Sequence, residues 1–222
     1  MFYKPLFFSF FLSNSRFFSL FGILEKNVKC FLKFLLNQFN CAIIYKIYYG
    51  VVFSLVVLGI DPGYAIVGYG VISFDNVRFK PIEYGAITTQ AKTPFTDRLE
   101  KIFNGVDKII KTYKPDALAI EKLFFNTNTT TAIDVAQARG VILLAAQLNG
   151  VPVYEYTPLQ VKQAVTGYGR AQKNQVMEMI KSILHLAEIP KPDDTADALG
   201  MAVCHAHYAA SSYGRLKLEG KI

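Results

Sequence analysis

"SLVVLGIDPG", residues 54 to 63, is an apolar run that stops abruptly on an acid, a proline and a glycine. Val56 to Ile60 is the length of one buried strand and too short for a helix, and Pro62-Gly63 is a turn signal that ends it. Asp61 is therefore delivered to the end of a buried strand, a position that needs a reason.

Working outward from that strand, the chain alternates. Ile66 to Phe74 and Phe79 to Thr89 read as half-buried strands joined in a hairpin through Asp75-Asn76. Pro94 to Tyr113 places Phe95, Leu99, Ile102, Phe103, Val106, Ile109 and Ile110 at helical spacing. Ala117 to Ile120 is a short buried strand, a polar loop over Asn126 to Thr131 leads to a helix ending near Leu148, and Val151 to Tyr156 is a further strand. Two helices close the series, roughly Gln172 to Leu186 and Asp193 to Ala210, separated by Pro190-Lys191-Pro192. An antiparallel start followed by right-handed parallel crossovers gives an α/β fold: a mixed five-stranded sheet with helices on both faces.

The residues before this pattern differ in kind. Of 222 residues with a formal charge of +7, residues 1 to 54 hold six Lys and Arg against one acid, Glu25, so the other 168 residues carry only +2. Twelve of the 18 Phe also fall there. A membrane anchor over Leu6 to Leu24 is interrupted by Asn14 and Arg16, and a second domain would need more acids and turn residues. The expectation is an N-terminal extension translated from a misplaced start, with one domain over residues 55–222. That domain is nearly neutral, so any polyanion it binds is held by a local patch. Its single cysteine, Cys204, excludes a disulfide framework and fits a reducing, cytoplasmic compartment.

In an open α/β sheet, chemistry collects at the carboxyl ends of parallel strands. "VVLGID" delivers Asp61 there and "DALAIE" delivers Glu121. On neighbouring strands the two carboxylates lie about one strand spacing, ~4.8 Å, apart, and repel unless a cation lies between them. "PDDTADALGMA" adds Asp194 and Asp197, three apart near a helix start and so on one face. Each acid taken singly reads equally well as a turn or helix-dipole residue. Together the four make an oxygen-rich set suited to Mg²⁺ or Mn²⁺, with no soft ligand among them. Two ions ~3.5–4 Å apart suit phosphodiester hydrolysis, one orienting water and the other neutralising the leaving oxygen.

From Leu55 to about Tyr208 the chain resembles the RuvC family of Holliday-junction resolvases, in the RNase H-like superfamily. The matching stretches are "LGIDPG", "IEKLFFN", "AQARGVILLAA", "YTPLQVKQAVTGYGRAQKNQV" and "DDTADALGMAVCHAH", in that order. The resemblance implies an RNase H-like fold and a metal-dependent endonuclease giving 5′-phosphate ends, with Asp61, Glu121, Asp194 and Asp197 as its catalytic, metal-binding acids. Asp193 is then a helix cap beside Asp194. It implies Phe124 as a base-stacking residue, with Phe125 the alternative, and Lys162 and Lys173 as cations near the cleaved phosphate. It further implies a homodimer, for which the Thr131 to Leu148 helix is the candidate interface, and work with the RuvA and RuvB branch-migration proteins on four-way junction DNA.

Other residues are read from their setting. The glycines of "TGYGR" permit a loop that brings Arg170 to DNA. Arg139 either contacts the DNA backbone or pairs with a core acid. His185 is a structural residue, and His205 is at most a neighbour of the ligands. A non-catalytic junction-binding protein would lack one of the four acids, and none is missing.

Overall fold

The computed structural model describes residues 54–122 and 129–211; Phe124, Phe125, Asn126 and Asn128 lie outside the described residues, as does almost all of the N-terminal extension. Ten elements follow in chain order: β1 (Leu55–Asp61), β2 (Ile66–Phe74), β3 (Phe79–Thr88), α1 (Phe95–Tyr113), β4 (Ala117–Glu121), α2 (Thr129–Leu148), β5 (Val153–Tyr156), α3 (Pro158–Thr166), α4 (Lys173–Ile183) and α5 (Asp193–Ala210).

The strands form one sheet in the order β3-β2-β1-β4-β5. β1, β2 and β3 are antiparallel neighbours, while β4 is parallel to both β1 and β5. At the hairpin between β2 and β3, Asp75 Oδ1 accepts from the amides of Val77 and Arg78, and Asn76 takes a left-handed φ of 72°. The start of β1 is pinned to that of β4 in both directions: Val56 N–H donates to Asp116 Oδ2 (2.8 Å) and Asp116 N–H to Val56 O (2.8 Å). The sheet is covered on both faces, as the alternation requires. Leu58, Ile60, Val67, Leu118 and Ile120 pack on one side with Ile102 and Val106 of α1 and Ile142 of α2. Val57, Ile72 and Ala119 pack on the other with α3, α4 and α5.

Two expectations are corrected. Residues 158–166 form a helix that the sequence reading left unassigned. Its start is a capping box: the Gln160 amide donates to Thr157 Oγ1 and the Thr157 amide to the Gln160 side chain, with Pro158 at the first helical position. Thr129 also already belongs to α2 rather than to the polar loop before it. Among the described residues no helix is long and apolar enough to cross a membrane.

Candidate active site

The site is built by one close packing. Gly59 and Gly70 pair across β1 and β2, and Asp61 pairs with Gly68 two residues on. All four face α5. A Cβ at Gly59 would overlap the carbonyl oxygen of Ala198, one at Gly68 the carbonyl oxygen of Asp194, and one at Gly70 would lie 2.5 Å from Leu199 Cδ2. The stripe of glycines lets α5 lie directly on the strands, with Ala196, Ala198, Leu199 and Ala202 fully buried. Thr195 Oγ1 donates to Gly85 O (3.0 Å) and ties the helix start to β3. The first turns of α5, carrying Asp194 and Asp197, are thereby set beside the end of β1.

Ile60 is in register with Ile120, so the next residues, Asp61 and Glu121, leave two adjacent parallel strands side by side. All four acids are half-buried. Burial, and behind it the charges of Glu121, Asp197 and Asp194, push the Asp61 carboxyl up to about 7, with Lys173 pulling the other way. Burial and then Asp197 raise Glu121. Asp197 is raised by burial against the opposing pull of Lys173, with Asp194 and Asp193 adding to the rise. Asp61 is thus within electrostatic reach of the other three carboxylates. Among the described residues no three His, Cys, Asp or Glu side chains are set as ligands around a single point. Asp197 is instead turned toward Lys173.

Lys173, the first residue of α4, is the cation of this cluster: its Nζ lies 3.2 Å from Asp193 Oδ2 and 3.4 Å from Asp197 Oδ2. Burial works against its charge, yet the two carboxylates outweigh that and hold it above the ordinary lysine range. The expectation that Asp193 caps α5 is corrected. Pro192 occupies the cap position with no side-chain cap bond, so Asp193 is the first helical residue and its carboxylate is used on Lys173. Three acids in the opening turns also complement the positive end of the helix. Lys162 is half-buried on α3, and Arg170 is exposed between α3 and α4. Arg139 takes the second of its two alternatives, pairing with Glu155 on β5, a half-exposed acid rather than a core one.

His205 stands apart from the acids. It is buried, stacks on Tyr154 with ring centroids 4.5 Å apart, and shares a 2.8 Å hydrogen bond between Nδ1 and the Tyr156 hydroxyl. Burial drives its pKa down to about 4, which makes it a neutral core residue. Sequence reasoning missed the Lys173–Asp193 pair and the role of Gly68. The glycine at every second position, Gly68 and Gly70, was the available signal for a closely packed helix.

A mixed five-stranded sheet with acids at the ends of two adjacent parallel strands, and an acid-bearing helix packed across them, is an RNase H-like arrangement. Comparison with known proteins narrows this. The family "Crossover junction endodeoxyribonuclease RuvC" matches residues 57–205. A relative of that name from Brevibacillus brevis is 58% identical over 154 residues, covering 69% of this chain and 93% of its own. One from Clostridioides difficile is 60% identical over 153 residues, covering 69% and 90%. The solved RuvC of Thermus thermophilus is 39% identical with a TM-score of 0.65, over 70% of this chain and 95% of its own. The same protein in complex with a Holliday junction substrate gives 36% and 0.66, over 72% and 97%. The chain belongs to the RuvC family and is a crossover junction endodeoxyribonuclease, resolving Holliday junctions.

Proposed function

We propose that Asp61, Glu121, Asp194 and Asp197 are the residues that carry this cleavage, holding two Mg²⁺ ions, with Mn²⁺ as a substitute. The observation that carries the reading is Asp61, whose carboxyl is pushed up to about 7 by burial among three other acids. A cation bound beside such a group favours its ionised form, and the donor set is all hard oxygen. Ions bound there would lower the pKa of the attacking water and neutralise charge on the leaving 3′ oxygen, giving 5′-phosphate and 3′-hydroxyl ends. All three other acids are among the charges acting on Asp61. Lys173 sits beside Asp197 within reach of a phosphate bound at the acids, and Lys162 and Arg170 hold the strand through its backbone. Phe124 stacks on a base at the junction centre.

The test is cleavage of a labelled synthetic four-way junction in Mg²⁺ by wild type and Asp61→Asn. The variant should lose at least a hundredfold in rate while keeping its junction affinity; equal cleavage by both overturns the assignment.

Paired nicks need two sites related by two-fold symmetry, so the enzyme acts as a homodimer. α2 supports this. Its apolar residues extend beyond the side that packs on the fold: Ile133, Leu144 and Leu148 are 62%, 50% and 67% exposed. Gly140 lies on the same side, and a Cβ there would meet nothing within 4 Å among the described residues. RuvA and RuvB supply branch migration, and the setting is the cytoplasm. Residues 1–54 stand outside the nuclease unit, a division supported by the family match beginning at residue 57 and by the change in composition. Mass spectrometry of the native N-terminus checks it.

A further inference from the structure

The chain between α3 and α4 presents an aromatic ring, Tyr168, that makes no ring contact among the described residues. Tyr168 is 59% exposed, and it is not a loose side chain on a loose loop. Gly167 takes a left-handed φ of 75° and closes α3 by donating its amide to Gln163 O. The Thr166 hydroxyl then accepts from the Tyr168 amide (3.2 Å), and its single proton lies between the carbonyls of Lys162 (2.8 Å) and Tyr168 (3.0 Å). The Tyr168 carbonyl also accepts from the Ala171 amide at 3.1 Å. Each backbone polar group of Tyr168 is bound, so the exposed ring stands on an ordered turn. Beside it Leu159 is also exposed, at 58%, and packs on Gly169, where an added Cβ would lie 3.2 Å from Leu159 Cγ. An isolated exposed aromatic needs no explanation. An ordered one, next to a second exposed apolar side chain, does.

Charge identifies what it meets. Between Glu155 and Glu178 the 22 residues carry Lys162, Arg170 and Lys173 and no acid. That is +3 in one stretch of a domain whose residues 55–222 sum to only +2. The last of the three is ion-paired with Asp197 at the acid cluster, and five residues span at most about 18 Å. The ring therefore stands within a few nucleotides of a phosphate bound at the acids. A cationic track with an aromatic face fixed on it is the combination that binds an unpaired or splayed nucleic-acid strand.

We propose that Tyr168, with Leu159 as an apolar wall, is a stacking platform for a nucleobase of the junction strand that enters the acid cluster. It is separate from the contact assigned to Phe124, and it rests on Asp61, Glu121, Asp194 and Asp197 being the cleavage site. The ring supplies affinity and register by stacking, with no dependence on its hydroxyl.

The experiment measures junction binding by the full chain in EDTA across a salt series, for wild type, Tyr168→Phe, Tyr168→Ser and Arg170→Gln, with melting temperatures alongside. Tyr168→Ser is expected to bind about 5- to 100-fold more weakly, the range for losing one stacked base. Its salt slope and melting temperature should stay at the wild-type values, and Tyr168→Phe should lie within about twofold of wild type. Arg170→Gln should flatten the slope, as loss of a phosphate contact does. A junction carrying 2-aminopurine along the cleaved strand should be quenched at one position by wild type and Tyr168→Phe, and not by Tyr168→Ser. Wild-type affinity in Tyr168→Ser, or equal loss in Phe and Ser, overturns the platform. If wild type itself cleaves no junction in Mg²⁺, the assignment of the acids fails instead, and the two failures are distinct.

Discussion

At the scale of single residues, the protonation of Asp61 is coupled to folding. Its folded pKa lies near 7 against an ordinary value of 3.8, so between about pH 4 and pH 7 the folded protein holds a proton that the unfolded chain has released. Stability from this group therefore falls as pH rises through that window. In EDTA, Asp61→Asn should be about 1–2 kcal/mol more stable than wild type at pH 8 and no more stable at pH 4, read from urea melts. The same proton competes with divalent ions, so calorimetric Ca²⁺ affinity should increase from pH 6 to pH 8 in wild type and be lost in the variant. Arg98 makes a different prediction. It is 6% exposed, with its guanidinium 3.4 Å over the Tyr64 ring and Nε donating to Thr89 Oγ1 at 2.9 Å, while the Thr89 hydroxyl donates to Tyr64 O. This latch ties the turn after Asp61 to α1. Arg98→Ala should cost about 2–3 kcal/mol, and Arg98→Lys should recover little, because an ammonium cannot both lie flat on a ring and donate sideways. Asp61 and Glu121 were legible in the sequence because a charge ending an apolar run is a local signal. The Lys173–Asp193 pair was not, because it joins two helices whose approach is set by packing.

At the scale of elements, the informative contrast is between strands and short helices. The strands of the sheet announce themselves by apolar runs that stop on turn residues. α3 did not, because its nine residues bury only Val161 and Val165 and so show too little periodicity. Thr157-Pro158 with Gln160 was the readable signal, a capping box with proline at the first position. α5 was legible as a helix, but its closeness to the sheet was not, since that depends on glycines in other elements. Those glycines can be tested. Gly59→Ala places a methyl on the backbone of Ala198 and Ala202, where no flexible side chain can yield. A loss of at least about 3 kcal/mol is expected in thermal or urea melts. Gly68→Ala presses instead on Asp194, so junction cleavage in Mg²⁺ should fall by more than junction binding does. Equal decline in both would mean that the stripe serves packing alone.

At the scale of the whole molecule, the order of the strands fixes one half of the catalytic problem and leaves the other to association. The sheet and α5 bring four acids to one end of the central strands, on the proposed reading one cleavage site, whereas resolving a junction takes two nicks at symmetry-related positions. Nothing in a single chain's sequence states how two copies meet. Exposed Ile133, Leu144 and Leu148 on α2 become meaningful only once α1 and the sheet are seen to need the opposite side of that helix. Ile133→Glu with Leu144→Glu places charges in the middle of the proposed interface, where burial without partners is prohibitive, while leaving the folded monomer intact because both positions face solvent. The double variant should sediment as a monomer at micromolar concentration, with wild type a dimer. On a supercoiled plasmid bearing an extruded cruciform, wild type should yield mainly linear product, since its two cuts fall within the lifetime of one complex. The variant should yield nicked circles, because its cuts are independent and the first relaxes the cruciform. Linear product from a monomeric variant would show that α2 does not couple the two sites, and a dimeric variant would show that the contact lies elsewhere on the surface.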